Sequence, residues 1–105
     1  AAHIVPPTGA KGLNLAVADV WLLARAFAAH YRDGDDHALD TYSEIALRRV
    51  WKVERFSWQL STLMHKFPEN SPFETRMQRA EFDYLAGSEA ASRSIAENYV
   101  GLPLD

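Results

Sequence analysis

The sequence predicts an all-α chain of about four helices, one of them very long, preceded by a short strand remnant. Apolar residues recur at steps of three and four over residues 37–67, as one buried face of a helix requires. Ser71, Pro72 and Glu74 form the capping-box pattern of a helix start. Only residues 2–5 predict a strand, so helices dominate the expected fold.

Residues 2–5 form a short apolar run that is typical of the end of a β-strand. A single strand cannot satisfy its backbone hydrogen-bonding groups, so this one needs a sheet from elsewhere. We therefore expect the chain to be part of a larger protein. We divide it into a strand remnant with a glycine turn, residues 1–14, and a helical region, residues 13–105.

The turn that follows contains two prolines and two glycines. Pro6 and Pro7 fix φ, whereas Gly9 and Gly12 permit positive φ or the close approach of a ligand to the backbone. The first N–H groups of the next helix have no partner inside that helix. They would attract a phosphate, a carboxylate or a heteroaromatic carbonyl. The alternative is an ordinary strand-to-helix turn whose glycines serve only geometry.

The first helix is predicted from Gly12 to about Tyr31, and it is apolar on nearly every side. Such a helix is normally buried on all sides. Gly34 is the expected C′ residue, and Asp35 or Asp36 the N-cap of the next helix. The acidic residues lack EF-hand spacing, which favours this turn-and-cap role over a calcium site.

The second helix is predicted over residues 37–67, which would make a rod of roughly 46 Å. A compact domain of this length has a radius of gyration of about 13 Å. The rod should therefore pack along a partner or support a larger body. A basic band on it could bind an anion, but the expected Glu44–Arg48 pair favours a solvated or partner-facing surface. The band consists of Arg48, Arg49, Lys52 and Arg55.

The third helix is expected from the Ser71 cap to about residue 86, where Gly87 ends it. Residues 88–97 predict a fourth, shorter helix, and residues 98–103 a terminal loop.

Composition excludes several classes of function. The net charge of −3 gives no reason to expect nucleic acid or an anionic membrane as partner. The absence of cysteine excludes disulfides and thiolate chemistry, and with the lack of a signal peptide it favours a cytoplasmic protein. The apolar stretch over residues 15–29 is short for a bilayer and contains Asp19 and Arg25.

No self-contained catalytic machinery is visible in the sequence. The four histidines lack the spacing of a metal site, and no local Ser-His-Asp set is present. Any chemistry should therefore belong to a bound cofactor. The histidines are His3, His30, His37 and His65.

Three segments resemble the flavin-dependent aromatic hydroxylases. Residues 1–14, AAHIVPPTGAKGLN, resemble the second flavin-contacting segment of that family. Residues 48–58, RRVWKVERFSW, and 95–103, IAENYVGLP, resemble its C-terminal third. The resemblance implies the C-terminal part of a larger α/β FAD-dependent monooxygenase. The family's G-x-G-x-x-G fingerprint and its NADPH-binding residues are absent from this sequence.

The resemblance also implies a site. FAD would be bound by the glycine turn and the start of the first helix. Two residues at the beginning of that turn would line the phenol side of the substrate pocket. A tyrosine near the C-terminus would relay the proton of the substrate hydroxyl. Without the resemblance, that tyrosine could be an ordinary loop aromatic. The implied residues are Gly9, Lys11, Gly12, Leu13 and Asn14 for FAD, Pro7 and Thr8 for substrate, and Tyr99 for catalysis.

The implied activity is hydroxylation of 4-hydroxybenzoate to 3,4-dihydroxybenzoate with NADPH and O2. The 105-residue chain alone is expected to be inactive and not to retain FAD. A homodimer is expected. The alternative is a stand-alone helical dimerisation module whose glycine turn has no catalytic role.

Overall fold

The computed structural model describes residues 3–103, and five helices account for most of them. The predicted all-α class is confirmed. No strand is present in this part of the chain, and residues 3–6 lack regular structure. Ala2, at the start of the predicted strand, lies outside the described residues. The helices are α1 (Gly12–Asp33), α2 (His37–Asp40), α3 (Tyr42–Met64), α4 (Pro72–Gly87) and α5 (Glu89–Val100).

The end of α1 follows the predicted glycine cap. Gly34 has φ 64°, in the left-handed region, and its N–H bonds the carbonyl of His30 at 3.0 Å. The N–H of Asp35 bonds the carbonyl of Ala29 at 3.2 Å, so two terminal carbonyls of the helix are satisfied. Asp36 is the N-cap of α2, while the side chain of Asp35 accepts a hydrogen bond from the N–H of His37.

The prediction of one helix over residues 37–67 is wrong at two places. The helix is interrupted at Thr41, whose hydroxyl and N–H both donate to the carbonyl of His37, at 2.8 and 3.0 Å. This competition between side chain and backbone disturbs regular helical bonding. The remaining α3 is 23 residues long, roughly 35 Å, and ends at Met64. The exposed Glu44–Arg48 pair on it is present at 2.6 Å, as expected.

The end of α3 has two physical causes. Pro68 disfavours helical geometry at the residue before it, Phe67, and the N–H of Asn70 then bonds the carbonyl of Phe67 in a turn. The side-chain amide of Gln78 on α4 also donates to carbonyls that the helix end leaves open. These carbonyls belong to Leu63 at 2.6 Å, His65 at 3.0 Å and Thr62 at 3.4 Å.

The capping box of α4 is confirmed. The Ser71 hydroxyl accepts from the N–H of Glu74, whose carboxylate accepts from the N–H of Ser71 at 2.6 Å. Ser88 caps α5 in a similar way through the N–H of Ala91. The α5 helix continues to Val100, beyond the predicted end at residue 97, and stops at Gly101, which has φ 114°.

The chain forms two compact units, and the division falls inside α3, between Ser57 and Trp58. Buried apolar residues of the first unit come from both α1 and α3. In the second unit, α4 contacts α5, and the hydroxyl of Ser92 donates to the carbonyl of Leu85. The buried apolar residues of the first unit are Leu15, Ala18, Ala26, Ala46, Val50 and Phe56.

Helix α1 does not have the all-round burial that its composition predicts. Its apolar side chains Leu13, Val17 and Val20 are exposed. Among the described residues it is the one helix whose length and hydropathy would allow a membrane crossing. Core helices of soluble proteins meet the same test, so this property does not distinguish between the two environments.

Candidate functional site

The turn before α1 is closed by one backbone hydrogen bond, from the N–H of Ala10 to the carbonyl of Pro7 at 3.0 Å. Gly9, the third residue of this turn, has φ 93°, a value that glycine adopts without steric cost. Ala10 also has a positive φ, of 52°, which is uncommon for a residue with a Cβ atom. The turn is thus held in a sharply bent conformation directly before the helix.

Three N–H groups at the start of α1 are available to a ligand. The first hydrogen bond at the helix start runs from the N–H of Leu15 to the carbonyl of Lys11 at 3.0 Å. No acceptor within residues 3–103 takes the N–H groups of Gly12, Leu13 and Asn14, and all three residues are exposed. Because these donors lie at the positive end of the helix dipole, they suit an electron-rich acceptor.

Gly12 is not required by the packing of the protein itself. A Cβ atom there would lie 3.7 Å from Cγ2 of Val5, which is an ordinary van der Waals contact. Its φ is not in the left-handed region either. An alanine could therefore occupy this position without strain. A glycine at this position also lets a flat ligand approach the backbone beside the free N–H groups more closely than any residue with a side chain would.

Lys11 occupies an unusual position for a lysine. Its side chain is buried, with 5% of the residue exposed, and its Nζ atom lies 5.8 Å from the centroid of the Phe56 ring. Phe56 is itself buried in the first unit. A positive charge on a ring face is stabilised by the ring quadrupole. Lys11 therefore carries its charge just before the helix start while its side chain contacts the core.

A His–Asp pair ties the approach segment to α1. A hydrogen bond of 2.8 Å joins Nε2 of His3 to Oδ2 of Asp19, in the second turn of the helix. Tyr42 lies near Asp19, and burial together with this carboxylate raises the pKa of its phenol above 10.0. Sequence reasoning missed the pair because its members belong to different segments. The available signal was a carboxylate within an apolar helix, which needs a partner when it is partly buried.

The predicted site residues fall in both compact units. The residues from Pro7 to Asn14 are continuous in the first unit, with Pro7 exposed and Thr8 half-buried. Tyr99 lies in α5 of the second unit, one residue before the end of that helix, and it is exposed. The predicted loop over residues 98–103 is therefore wrong at Tyr99, because helical hydrogen bonding continues beyond it to Gly101, and the role of Tyr99 stays a prediction.

The second unit contains an apolar cavity of about 450 Å³ that the sequence did not indicate. It lies between the end of α3, the following loop and the first turns of α4. The principal apolar residues lining the cavity are Trp58, Leu63, Phe67, Phe73 and Met77.

No group of three His, Cys, Asp or Glu side chains suited to a metal ion exists in residues 3–103.

Comparison with known proteins identifies relatives of both units. The family of FAD binding domains matches residues 1–57, the range that ends where the first compact unit ends. The p-hydroxybenzoate hydroxylase of Acinetobacter baylyi (strain ATCC 33305 / BD413 / ADP1) is 51% identical over 105 residues. This alignment covers 100% of the chain and 26% of the hydroxylase. The chain thus spans about a quarter of the length of that relative.

Proposed function

Since the chain belongs to the family of FAD binding domains, we propose that it supplies the flavin-edge segment and C-terminal helices of an FAD-dependent aromatic hydroxylase. The observation that supports this proposal most directly is that the N–H groups of Gly12, Leu13 and Asn14 are exposed and have no partner within residues 3–103. They lie inside the range that matches the family. The 51% identity to a p-hydroxybenzoate hydroxylase extends the support to the helices that follow.

The proposed reaction of the whole protein is hydroxylation of 4-hydroxybenzoate to 3,4-dihydroxybenzoate with NADPH and O2. When bound, FAD accepts electrons from NADPH and activates O2 for transfer of one oxygen atom to the substrate ring. The chain's own contribution is to bind and orient. This division is typical of cofactor enzymes, in which the protein supplies position and electrostatics.

The N–H groups of Leu13 and Asn14 would donate to the pyrimidine edge of the flavin, where negative charge collects on reduction. Donors fixed before the reaction stabilise such charge without reorganisation. Gly9 and Gly12 would allow the ring to reach these donors. Lys11 would influence the flavin by the electrostatic effect of its charge rather than by direct contact, because its side chain packs on Phe56.

Pro7, Thr8 and Tyr99 are proposed to handle the substrate. The carbonyl of Pro7 accepts one hydrogen bond, from Ala10, and a carbonyl oxygen has a second lone pair that could accept from the substrate hydroxyl. Thr8 would line the same side of the pocket. Tyr99 would relay the phenolic proton away from the substrate: its oxygen would accept that proton as its own hydroxyl proton passes on, which would leave the substrate ring more electron-rich.

A comparison of two glycine variants tests the flavin assignment in the full-length protein. Gly12→Ala adds a methyl group that the protein accommodates. Under the proposal, this group would add bulk beside the N–H groups that receive the ring. We expect it to weaken FAD binding at least about tenfold. Gly87→Ala, where an added Cβ atom meets nothing within 4 Å, is the control and should bind FAD normally. Equal affinity in both variants would contradict the assignment.

The activity itself requires a separate measurement. The full-length protein should contain FAD and convert 4-hydroxybenzoate to 3,4-dihydroxybenzoate in step with NADPH oxidation. The purified 105-residue chain should show neither flavin absorbance nor turnover. Product formation by the short chain would overturn the proposal that the remaining protein is needed.

A second candidate function is helix-mediated self-association. It is favoured by exposed apolar residues on α1 and α3, including Val20, Leu47 and Trp51. When such exposed apolar side chains form one surface, that surface is normally covered by a partner or by the rest of a larger protein. Light scattering on the short chain tests this role, and a stable monomer would count against it.

A further inference from the structure

His3 and Asp19 lie on either side of the proposed flavin segment, Pro7–Asn14, in the sequence, and a hydrogen bond joins them. The two residues are 16 positions apart, and the chain between them contains the proline-glycine turn and the first turn of α1. Both side chains are largely shielded, with 16% of His3 and 21% of Asp19 exposed. Because the ionised carboxylate can only accept, Nε2–H of His3 is the donor to Oδ2 of Asp19.

Apart from the contact of Lys11 with Phe56, few other interactions between described residues hold the approach segment. Residues 3–6 have no regular secondary structure, and the one backbone hydrogen bond that involves residues 3–10 within the described chain is Ala10 to Pro7. Val5 lies beside Gly12, but an apolar contact does not fix direction. Since Ala10, a residue with a Cβ atom, also occupies positive φ, the backbone does not by itself prefer this conformation.

Asp19 is held by the backbone of α1. Its side chain is 21% exposed, and its carboxylate faces His3. The histidine therefore bonds to a carboxylate that is itself within the packed part of the first unit. A directional bond to a fixed acceptor can position a flexible segment.

We propose that His3 and Asp19 are positioning residues, whose hydrogen bond holds the Pro7–Asn14 segment, which includes the first residues of α1, in the conformation that receives the flavin ring. This inference rests on the proposed function. Neither residue touches the ring in this account. They act through the backbone of the turn and the three free N–H groups.

The same helix provides a matched control. At its other end, Nδ1 of His30 bonds Oδ1 of Asp36, so a second His–Asp pair joins α1 to the N-cap of α2. This pair has the same chemistry and lies at the end of α1 opposite the turn. Asp19→Ala and Asp36→Ala therefore remove one pair each, and only the first removes a contact to the flavin segment.

The test compares these variants in the full-length flavoprotein by FAD titration, flavin absorption spectrum and hydrogen exchange of the Leu13 and Asn14 amides. We expect Asp19→Ala to weaken FAD binding about tenfold, shift the spectrum and speed exchange at both amides. Asp36→Ala should change none of these. Asp19→Asn, whose amide oxygen can still accept from His3, should restore binding to within about threefold of the unmodified protein.

The possible failures are distinguishable. If the unmodified full-length protein binds no FAD, the proposed function fails and the positioning role fails with it. If that protein binds FAD and Asp19→Ala matches Asp36→Ala in affinity, spectrum and exchange, the positioning role alone is overturned. Global unfolding curves identify loss of folding: weaker FAD binding with equal stability in the two alanine variants supports the proposal. If Asp19→Ala does not fold, Asp19→Asn is compared with the unmodified protein, and a folded Asp19→Asn that binds FAD more than about threefold more weakly contradicts the proposal.

Discussion

The ammonium group of Lys11 lies 5.8 Å from the centre of the Phe56 ring, and both residues are buried in the first unit. The two residues are 45 positions apart in the sequence. Their contact connects the residue before α1 to the middle of α3. The glycine turn is therefore anchored to the core at the point where the helix begins.

A double-mutant cycle between Lys11→Met and Phe56→Leu should reveal a coupling free energy of about 0.5–2 kcal/mol in urea unfolding. The physical reason is the attraction of a shielded cation to the ring face. The exposed pair Arg25 and Trp21, at 4.6 Å, is the comparison and should couple at the lower end of this range, about 0.5 kcal/mol. Coupling of zero between Lys11 and Phe56 would show that the ring does not stabilise the charge.

Gly34→Ala should reduce the free energy of unfolding by about 1 kcal/mol, because φ at this position is 64° and a Cβ atom disfavours that conformation. Gly87→Ala should instead stabilise the protein by about 0.4–1 kcal/mol. Neither added methyl group meets another atom within 4 Å, so the two variants differ in backbone conformation rather than in space. Paired urea unfolding curves measure the difference, and shifts of the same sign would contradict the explanation.

Stability should fall at high pH through Tyr42. Burial and the neighbouring Asp19 carboxylate raise the pKa of this phenol above its ordinary value of 10.0. Above pH 10 the unfolded chain therefore loses the phenolic proton before the folded chain does. The stability contributed by the neutral phenol is present below pH 10 and is lost as pH rises through the higher folded value.

The test of this pH effect is the variant Tyr42→Phe, which cannot ionise. Between pH 9 and pH 11 its free energy of unfolding should decline less steeply than that of the unmodified protein. At pH 8 the two proteins should have similar stability. Parallel pH profiles over the whole range would be inconsistent with a raised Tyr42 pKa.

Gln78 should stabilise the end of α3 through its side-chain amide, which donates to carbonyls at 2.6 and 3.0 Å. Gln78→Met keeps much of the volume and removes the donors, at an expected cost of about 1–2 kcal/mol. Gln78→Glu should cost more at pH 7, because a carboxylate would face the carbonyl oxygens. The difference between these variants should narrow below about pH 4, where glutamate is protonated. Equal stability of the two at pH 7 would contradict this role.

Local signals in the sequence determined the starts of α1, α2, α4 and α5 and the glycine cap at the end of α1. The Ser71–Glu74 capping box and the Gly34 cap depend on residues at most a few positions apart, so the sequence contains the whole interaction. The segment from Pro7 to Asn14 was also recognisable, since its residues are consecutive. Its flavin contacts and the relay by Tyr99 remain predictions.

Tertiary structure decided what residues distant in sequence do together. The Lys11–Phe56 contact, the His3–Asp19 bond and the Gln78 bonds to α3 each join separate segments, and no local pattern encodes such distances. The end of α3 was misplaced because apolar spacing continues to Phe67, while Pro68 and the amide of Gln78 end the hydrogen bonding earlier. The periodicity of apolar residues indicates which face of a helix is buried. Which donors bond the last carbonyls of the helix depends on contacts that form only when the chain has folded.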